Sequence, residues 1–163
     1  MPETLATSDV KILKALQEDG RLSNQALSGA VGMSASPCWR RVRQLEDEGV
    51  IQRYMAVLGR REIGLGVLAF IRVKIDSHTE AEAEAFASEV MKLDCVVACY
   101  SIAGDADFLL QVVSQDLDTY SDFAMSVVRR LPGIKEMQTT FVLKEIKPFS
   151  GLPLPAEGGR RGR

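Results

Sequence analysis

The spacing of hydrophobic residues along this chain changes character near Gly64, from a helical repeat before it to alternation after it. In the first stretch Val10, Ile12, Leu13 and Leu16 form a helical stripe that Gly20 stops. Ser23 suits the N-cap of a short helix carrying Leu27, Ala30 and Val31 on one side. Gly32 suits the left-handed residue that ends this helix and opens a tight turn. Ser34 then caps a third helix with Pro37 in its first turn, where a missing N–H costs nothing. Cys38, Val42 and Leu45 recur at i, i+4 and i+7 and should face inward, and Gly49 ends the helix. Val50 to Leu58 alternate loosely and suit a small β-wing.

Beyond Gly64, Val67, Ala69, Ile71, Val73 and Ile75 alternate with Leu68, Phe70, Arg72 and Lys74, which predicts a strand with one face better buried than the other. Thr79 and Glu82 have the spacing of a capping box, opening a helix with Ala83, Phe86, Val90 and Leu93 toward a sheet. A strand over Val96 to Ala103 runs into Gly104-Asp105-Ala106-Asp107 and another, Phe108 to Ser114, leaves it, as in a hairpin. A helix from about Asp118 to Arg130 follows, with Tyr120, Phe123, Ala124, Val127 and Leu131 inward, and Pro132-Gly133 ends it. A last strand covers roughly Lys135 to Ile146. The fold class is therefore α+β: a winged helix-turn-helix over residues 1–60 (helix-turn-helix about 24–43), a linker over 61–66, and a βαββαβ ferredoxin-like domain over 67–147. The Pro, Gly and Arg content over 148–163 predicts a disordered tail. One face of such a sheet is left uncovered by its helices, and its apolar side chains predict a dimer through that face.

Charge sharpens this division. The whole chain carries −2, but residues 1–61 carry +2, residues 62–150 carry −6, and the segment from Gly151 carries +2. A polyanion should therefore meet the first third of the chain. The outer face of the third helix supplies the chemistry: Ser34, Ser36, Pro37, Arg40, Arg41, Arg43 and Gln44 lie at or after its N-terminus, joined by Ser23 and Asn24 from the helix before. These residue types bond phosphates and base edges, and a second helix with a free outer face after a Gly-containing turn is how double-stranded DNA is read in the major groove. Trp39 is read as a flank of the small core, because duplex DNA exposes no base face in its groove. Cys38, Cys95 and Cys99, an odd number without a secretion signal, predict a reduced, cytoplasmic setting. No apolar run is long enough to span a bilayer. With His78 the only histidine, Cys95 and Cys99 make a poor zinc site, and no metal or cofactor is expected.

The run from Ser34 to Glu46 followed by Gly49-Val50-Ile51 resembles the recognition-helix signature of the Lrp/AsnC (feast/famine) transcription regulators. Gly104-Asp105-Ala106-Asp107-Phe108 resembles their effector-domain loop, and Arg130-Leu131-Pro132-Gly133 their helix-ending motif. The likeness runs from about Asp9 to Lys147, with two departures: only the second of two usual aspartates is kept, as Asp9, and Trp39 stands where leucine is typical. The resemblance implies a DNA-binding regulator that dimerises through its effector sheets, assembles further, commonly to octamers, and binds a small effector, usually an amino acid, between dimers. Carried onto this chain, the effector site comprises Ser101, Ile102, Ala103, Gly104, Asp105, Ala106 and Asp107, with Leu117, Gln138, Thr139 and Thr140 opposite. A loop with exposed N–H groups, two aspartates and a threonine pair suits a zwitterion. Two other functions fit the same outline: an architectural DNA-compacting protein without effector, and a tetrapyrrole decarboxylase of the kind that resembles this family. The second domain is poor in the histidines and arginines such an enzyme needs.

Overall fold

Each of the two hydrophobic periods closes its own apolar core. The computed structural model describes residues 5–76 and 79–155, and the chain divides into two compact units, residues 1–57 with 147–163 and residues 58–146. His78 and the arginines after Gly159 lie outside the described residues.

The first unit contains α1 (Thr7–Glu18), α2 (Asn24–Val31) and α3 (Ala35–Asp47). Local chemistry sets their ends. Ser23 at the N-cap of α2 accepts the Ala26 N–H on its hydroxyl at 3.2 Å, and Gly32 leaves α2 at φ 71°. Gly49, at φ 72°, turns the chain after α3. Ile12, Leu13, Leu27, Val31, Cys38 and Leu45 are buried together, so each helix contributes its predicted stripe. Trp39 is not among them; it is 52% exposed, about 120° around α3 from Leu45, contrary to the expectation that it flanks the core.

Two segments of this unit depart from expectation. Among the described residues, Val50 to Leu58 forms no strand, because no neighbouring strand offers partners to its loosely alternating backbone; the Ile51 N–H returns to the Leu45 carbonyl at 3.0 Å instead. The tail, expected to be disordered from Pro148, is placed as far as Pro155. There the Leu152 N–H donates to Gln17 Oε1 at 2.6 Å, Gln17 Nε2 donates to the Leu152 carbonyl at 3.1 Å, and Leu154 packs on the helical core. Gly151, at φ 103°, makes the approach possible, since a Cβ there would sit 2.8 Å from Gln17 Oε1. Paired bonds and an apolar anchor offset the entropy of ordering that segment.

The second unit is a four-stranded antiparallel sheet in the order β2-β3-β1-β4, built from β1 (Val67–Ile75), β2 (Val96–Ser101), β3 (Phe108–Ser114) and β4 (Ile134–Phe141). With α4 (Glu80–Val90) and α5 (Leu117–Ser126) this is the βαββαβ order predicted. Ala69, Ile71, Val73 and Ile75 meet Phe86, Val90, Tyr120, Ala124 and Val128 in the core, and the rings of Phe86 and Phe108 lie 4.5 Å apart. Each buried Phe contributes roughly 1.5–3 kcal/mol. β4 stops at Phe141, short of the predicted Ile146. At the end of α5 the chain tightens into a 3₁₀ turn, Val128–Arg130, which puts Val128 rather than Val127 fully inside. Alternation leaves Phe70, Arg72, Lys74, Leu109, Gln111, Tyr100, Gln138 and Thr140 on the face away from the helices.

Candidate nucleic-acid interface and ligand loop

The nine residues proposed at the first site fall into two groups. One group is committed to holding the helices. Asn24 Nδ2 donates to the Ala35 carbonyl at 3.0 Å and pins the start of α3 to α2. The Ser23 hydroxyl caps α2. Arg41 turns back to α1, where its Nε and Nη2 donate to the two oxygens of Asp9 at 2.5 and 2.7 Å. Its Nη1 donates to Gln44 Oε1 at 2.6 Å, and Gln44 in turn donates to Glu48. Asp9 is fully buried and also accepts the Ala6 N–H at 2.9 Å. The Arg41 hydrogen bonds beside it hold its carboxyl below the usual range, against the opposing pull of burial. Sequence reasoning treated Arg41 and Arg43 alike, since no local pattern reveals a partner from another helix.

The other group faces out. Ser34, Ala35, Ser36, Pro37, Trp39, Arg40 and Arg43 are all exposed, Ser34 to Pro37 around the start of α3 and Ser36, Trp39, Arg40 and Arg43 along one side of it. Ser34 occupies the N-cap with extended backbone, yet its hydroxyl makes no capping bond. Pro37 explains half of this, for it stands third in the helix and has no N–H to give. The first N–H groups of α3 thus keep the anion-attracting character of an uncapped helix start. Arg40 has no side-chain partner among the described residues, and Arg43 lies 5.7 Å over the Trp39 ring while its Nη1 donates to Glu46 at 3.1 Å. Asn24, Ala35, Ser36, Trp39 and Arg40 line an open depression of about 390 Å³.

In the second unit the loop between β2 and β3 is a tight, ordered turn. The Ile102 N–H donates to the Asp107 carbonyl at 2.9 Å, and Gly104 takes φ 134°. Its two aspartates do different things. Asp107 accepts the Ile75 N–H on Oδ2 at 2.8 Å, while its own N–H donates to the Val73 carbonyl at 2.9 Å; this ties the loop to the end of β1. Asp105 is 79% exposed on its side chain and accepts from Arg72 Nη1 at 3.1 Å. Arg72, which sequence reasoning did not select, also donates through Nη2 to Gln138. It stands opposite Gln138 in the β1–β4 register, so the strand order itself assembles Asp105, Arg72 and Gln138.

Not all of the proposed ligand residues join them. Thr139 points to the helix side, where its hydroxyl lies 2.6 Å from that of Tyr120. Ala106 is buried, Thr140 shares the face of Gln138, and Leu117 is exposed at the start of α5. Among the described residues there is no group of three or more potential metal ligands, and no helix is long and apolar enough to cross a membrane.

A helix-turn-helix with a basic outer face, followed by a ferredoxin-like domain with a polar cluster at its hairpin loop, defines a ligand-responsive class of DNA-binding regulator. Residues 5–52 match the model of the winged helix-turn-helix DNA-binding domain, and residues 68–152 match that of the Lrp/AsnC ligand binding domain. The chain belongs to the Lrp/AsnC family of transcriptional regulators. It is 34% identical over 146 residues to the DNA-binding transcriptional activator DecR of Escherichia coli K12, covering 90% of this chain and 96% of that one. It is 36% identical over 139 residues to the leucine-responsive regulatory protein of Rhizobium meliloti, covering 85% and 89%. Among solved structures, a Neisseria meningitidis transcriptional regulator in complex with L-Met superposes with a TM-score of 0.86 at 43% identity, covering 92% of this chain and 97% of that one. An AsnC family regulator from Agrobacterium tumefaciens gives a TM-score of 0.86 at 34% identity, covering 91% and 97%.

Proposed function

We propose that the chain regulates transcription by docking the exposed side of α3 in the major groove of DNA, under control of an amino acid bound beside the β2–β3 loop. The observation that carries the first part is the sorting of α3: Arg41 is spent on Asp9, while Ser36, Arg40 and Arg43 face out together along one side of the helix. Ser34, Ser36 and Arg40 are assigned to phosphates or base edges close to the helix start, with Arg43 further along. Ser23, Asn24, Arg41 and Gln44 act as positioning residues.

For the second part, the Arg72–Asp105 pair supplies a cation and a carboxylate in the arrangement a zwitterion can replace: its carboxylate on Arg72, its ammonium on Asp105. In the single chain the Asp105 side of this pair is open to solvent, and such a pair is worth at most about 1 kcal/mol. The L-Met complex of the Neisseria relative supports an amino acid as the ligand class. Ser101, Ile102, Ala103 and Gly104 would line the loop side, with Gln138 and Thr140 beside Arg72. Two copies pairing through the open sheet faces, and dimers joining into larger rings such as octamers, complete the reading. It assigns no catalytic step and no resident cofactor, and places the protein in the cytoplasm with Cys38, Cys95 and Cys99 reduced. Thermal-shift measurement with each proteinogenic amino acid tests the ligand class, because a ligand of the folded state raises the melting temperature. No shift at millimolar concentration from any of them would remove the amino-acid assignment.

A further inference from the structure

Trp39 is a large apolar ring placed where a soluble protein gains nothing from it. It is 52% exposed, lies outside the helical core, and shares the side of α3 with Ser36, Arg40 and Arg43. A Trp in a core buries on the order of 200 Å² and is retained for that reason; this one leaves half its surface to water. The ring is also held: Arg43 lies over it at 5.7 Å, Arg43 is itself bonded to Glu46, and the open depression beside it is lined by Asn24 and Ala35, which are bonded to each other. A preorganised apolar surface flanked by two cations suits an apolar spot on a polyanion. The major groove offers one apolar group, the C5-methyl of thymine.

We infer that Trp39 is a specificity-determining residue that packs its ring against a thymine methyl in the major groove, with Arg43 setting the ring orientation. The inference rests on the proposed docking of α3 in DNA. The ring need not stack on a base face to read a base, since the methyl projects into the groove where an edge-on or face-on ring can meet it. The same contact accounts for an apolar residue in the middle of an otherwise polar stripe.

The test uses the full chain and a duplex selected by the wild-type protein from a random-sequence pool. Each thymine of that duplex is replaced in turn by deoxyuridine, which removes only the methyl, and the affinity is measured. At a minimum of one thymine per half-site the wild type should lose about three- to tenfold, the effect of one well-packed apolar carbon or somewhat more. With Trp39→Ala the same replacement should change affinity by less than about 1.5-fold, while Trp39→Phe should keep part of the penalty. Melting curves equal to wild type confirm that the variants fold. The inference is overturned if no deoxyuridine replacement affects the wild type, or if Trp39→Ala keeps the full penalty, which would put the ring on the sugar-phosphate backbone. A wild-type protein that enriches no sequence and binds no duplex would instead remove the DNA-docking reading itself.

Discussion

The guanidinium of Arg41 is seated on the buried carboxylate of Asp9, two hydrogen bonds joining α3 to α1 across 32 residues of chain. An arginine on a helix thought to read DNA is thereby turned into part of the scaffold that aims the helix. Its neighbours Arg40 and Arg43 point the other way, and the difference gives each a distinct signature on mutation.

Arg41→Ala leaves a fully buried carboxylate without its cation. The expected cost is roughly 2–4 kcal/mol of stability in the first unit, in the lower part of the range for breaking a buried pair because Arg41 is itself partly exposed. Arg43→Ala removes only a surface pair and should change stability by less than about 0.5 kcal/mol. Chemical denaturation followed by far-UV circular dichroism distinguishes them; equal stabilities would show that the Asp9–Arg41 contact contributes nothing.

The same pair predicts acid sensitivity. Asp9 is held below the usual carboxylate range by Arg41, so its stabilising contribution is fully present above the unfolded value of about 3.9 and is lost as pH falls through the lower folded value. Asp9→Asn should destabilise at pH 7 and flatten the stability profile below pH ~4. Parallel profiles for wild type and Asp9→Asn over that range would place the acid transition on other groups.

At the β2–β3 loop the two aspartates should separate function from stability. Asp105→Ala and Arg72→Gln should leave the melting temperature within about 2 °C of wild type and weaken the amino-acid response at least tenfold, since each removes one charge of the proposed exchange. Asp107→Ala leaves the Ile75 N–H without its acceptor and should cost about 1–2 kcal/mol. Thermal shift with and without the responsive amino acid reads both quantities. A normal response in Arg72→Gln moves the carboxylate site elsewhere.

The open sheet face carries Phe70, Leu109 and Tyr100 beside its polar residues. Tyr100→Asp should shift the protein toward monomers in sedimentation equilibrium, because a carboxylate separated from Arg72 by β3 would be desolvated between two copies. An unchanged oligomer would place the interface on another surface.

Much of this fold was legible because its limits are local. Ser23, Gly32 and Gly49 mark helix ends by their own hydrogen bonding and backbone freedom, and the alternation from Val67 to Ile75 matches β1 residue for residue. What escaped depends on distant partners. Asp9 decides the role of Arg41, and Gln17 and Gly151 together place a tail whose composition predicts disorder; Thr139, by contrast, parts from Gln138 and Thr140 by strand alternation alone, and Tyr120 meets its hydroxyl on the helix side. Trp39 was readable in principle: it precedes Arg43 by one helical turn and follows Cys38 by about 100°, so its angular position outweighs its apolar character.

The central claim is that the exposed side of α3 engages DNA, and its salt dependence tests that most directly. Affinity of the full chain for its selected duplex should be measured across a series of salt concentrations for wild type, Arg40→Ala, Arg43→Ala and Arg41→Ala. The account predicts a steep log–log slope that falls by about 0.9 for each of Arg40 and Arg43 that meets a phosphate. Arg41→Ala, measured where it is folded, should keep the wild-type slope. Arg40→Ala and Arg43→Ala proteins that bind with unchanged affinity and unchanged slope would contradict it.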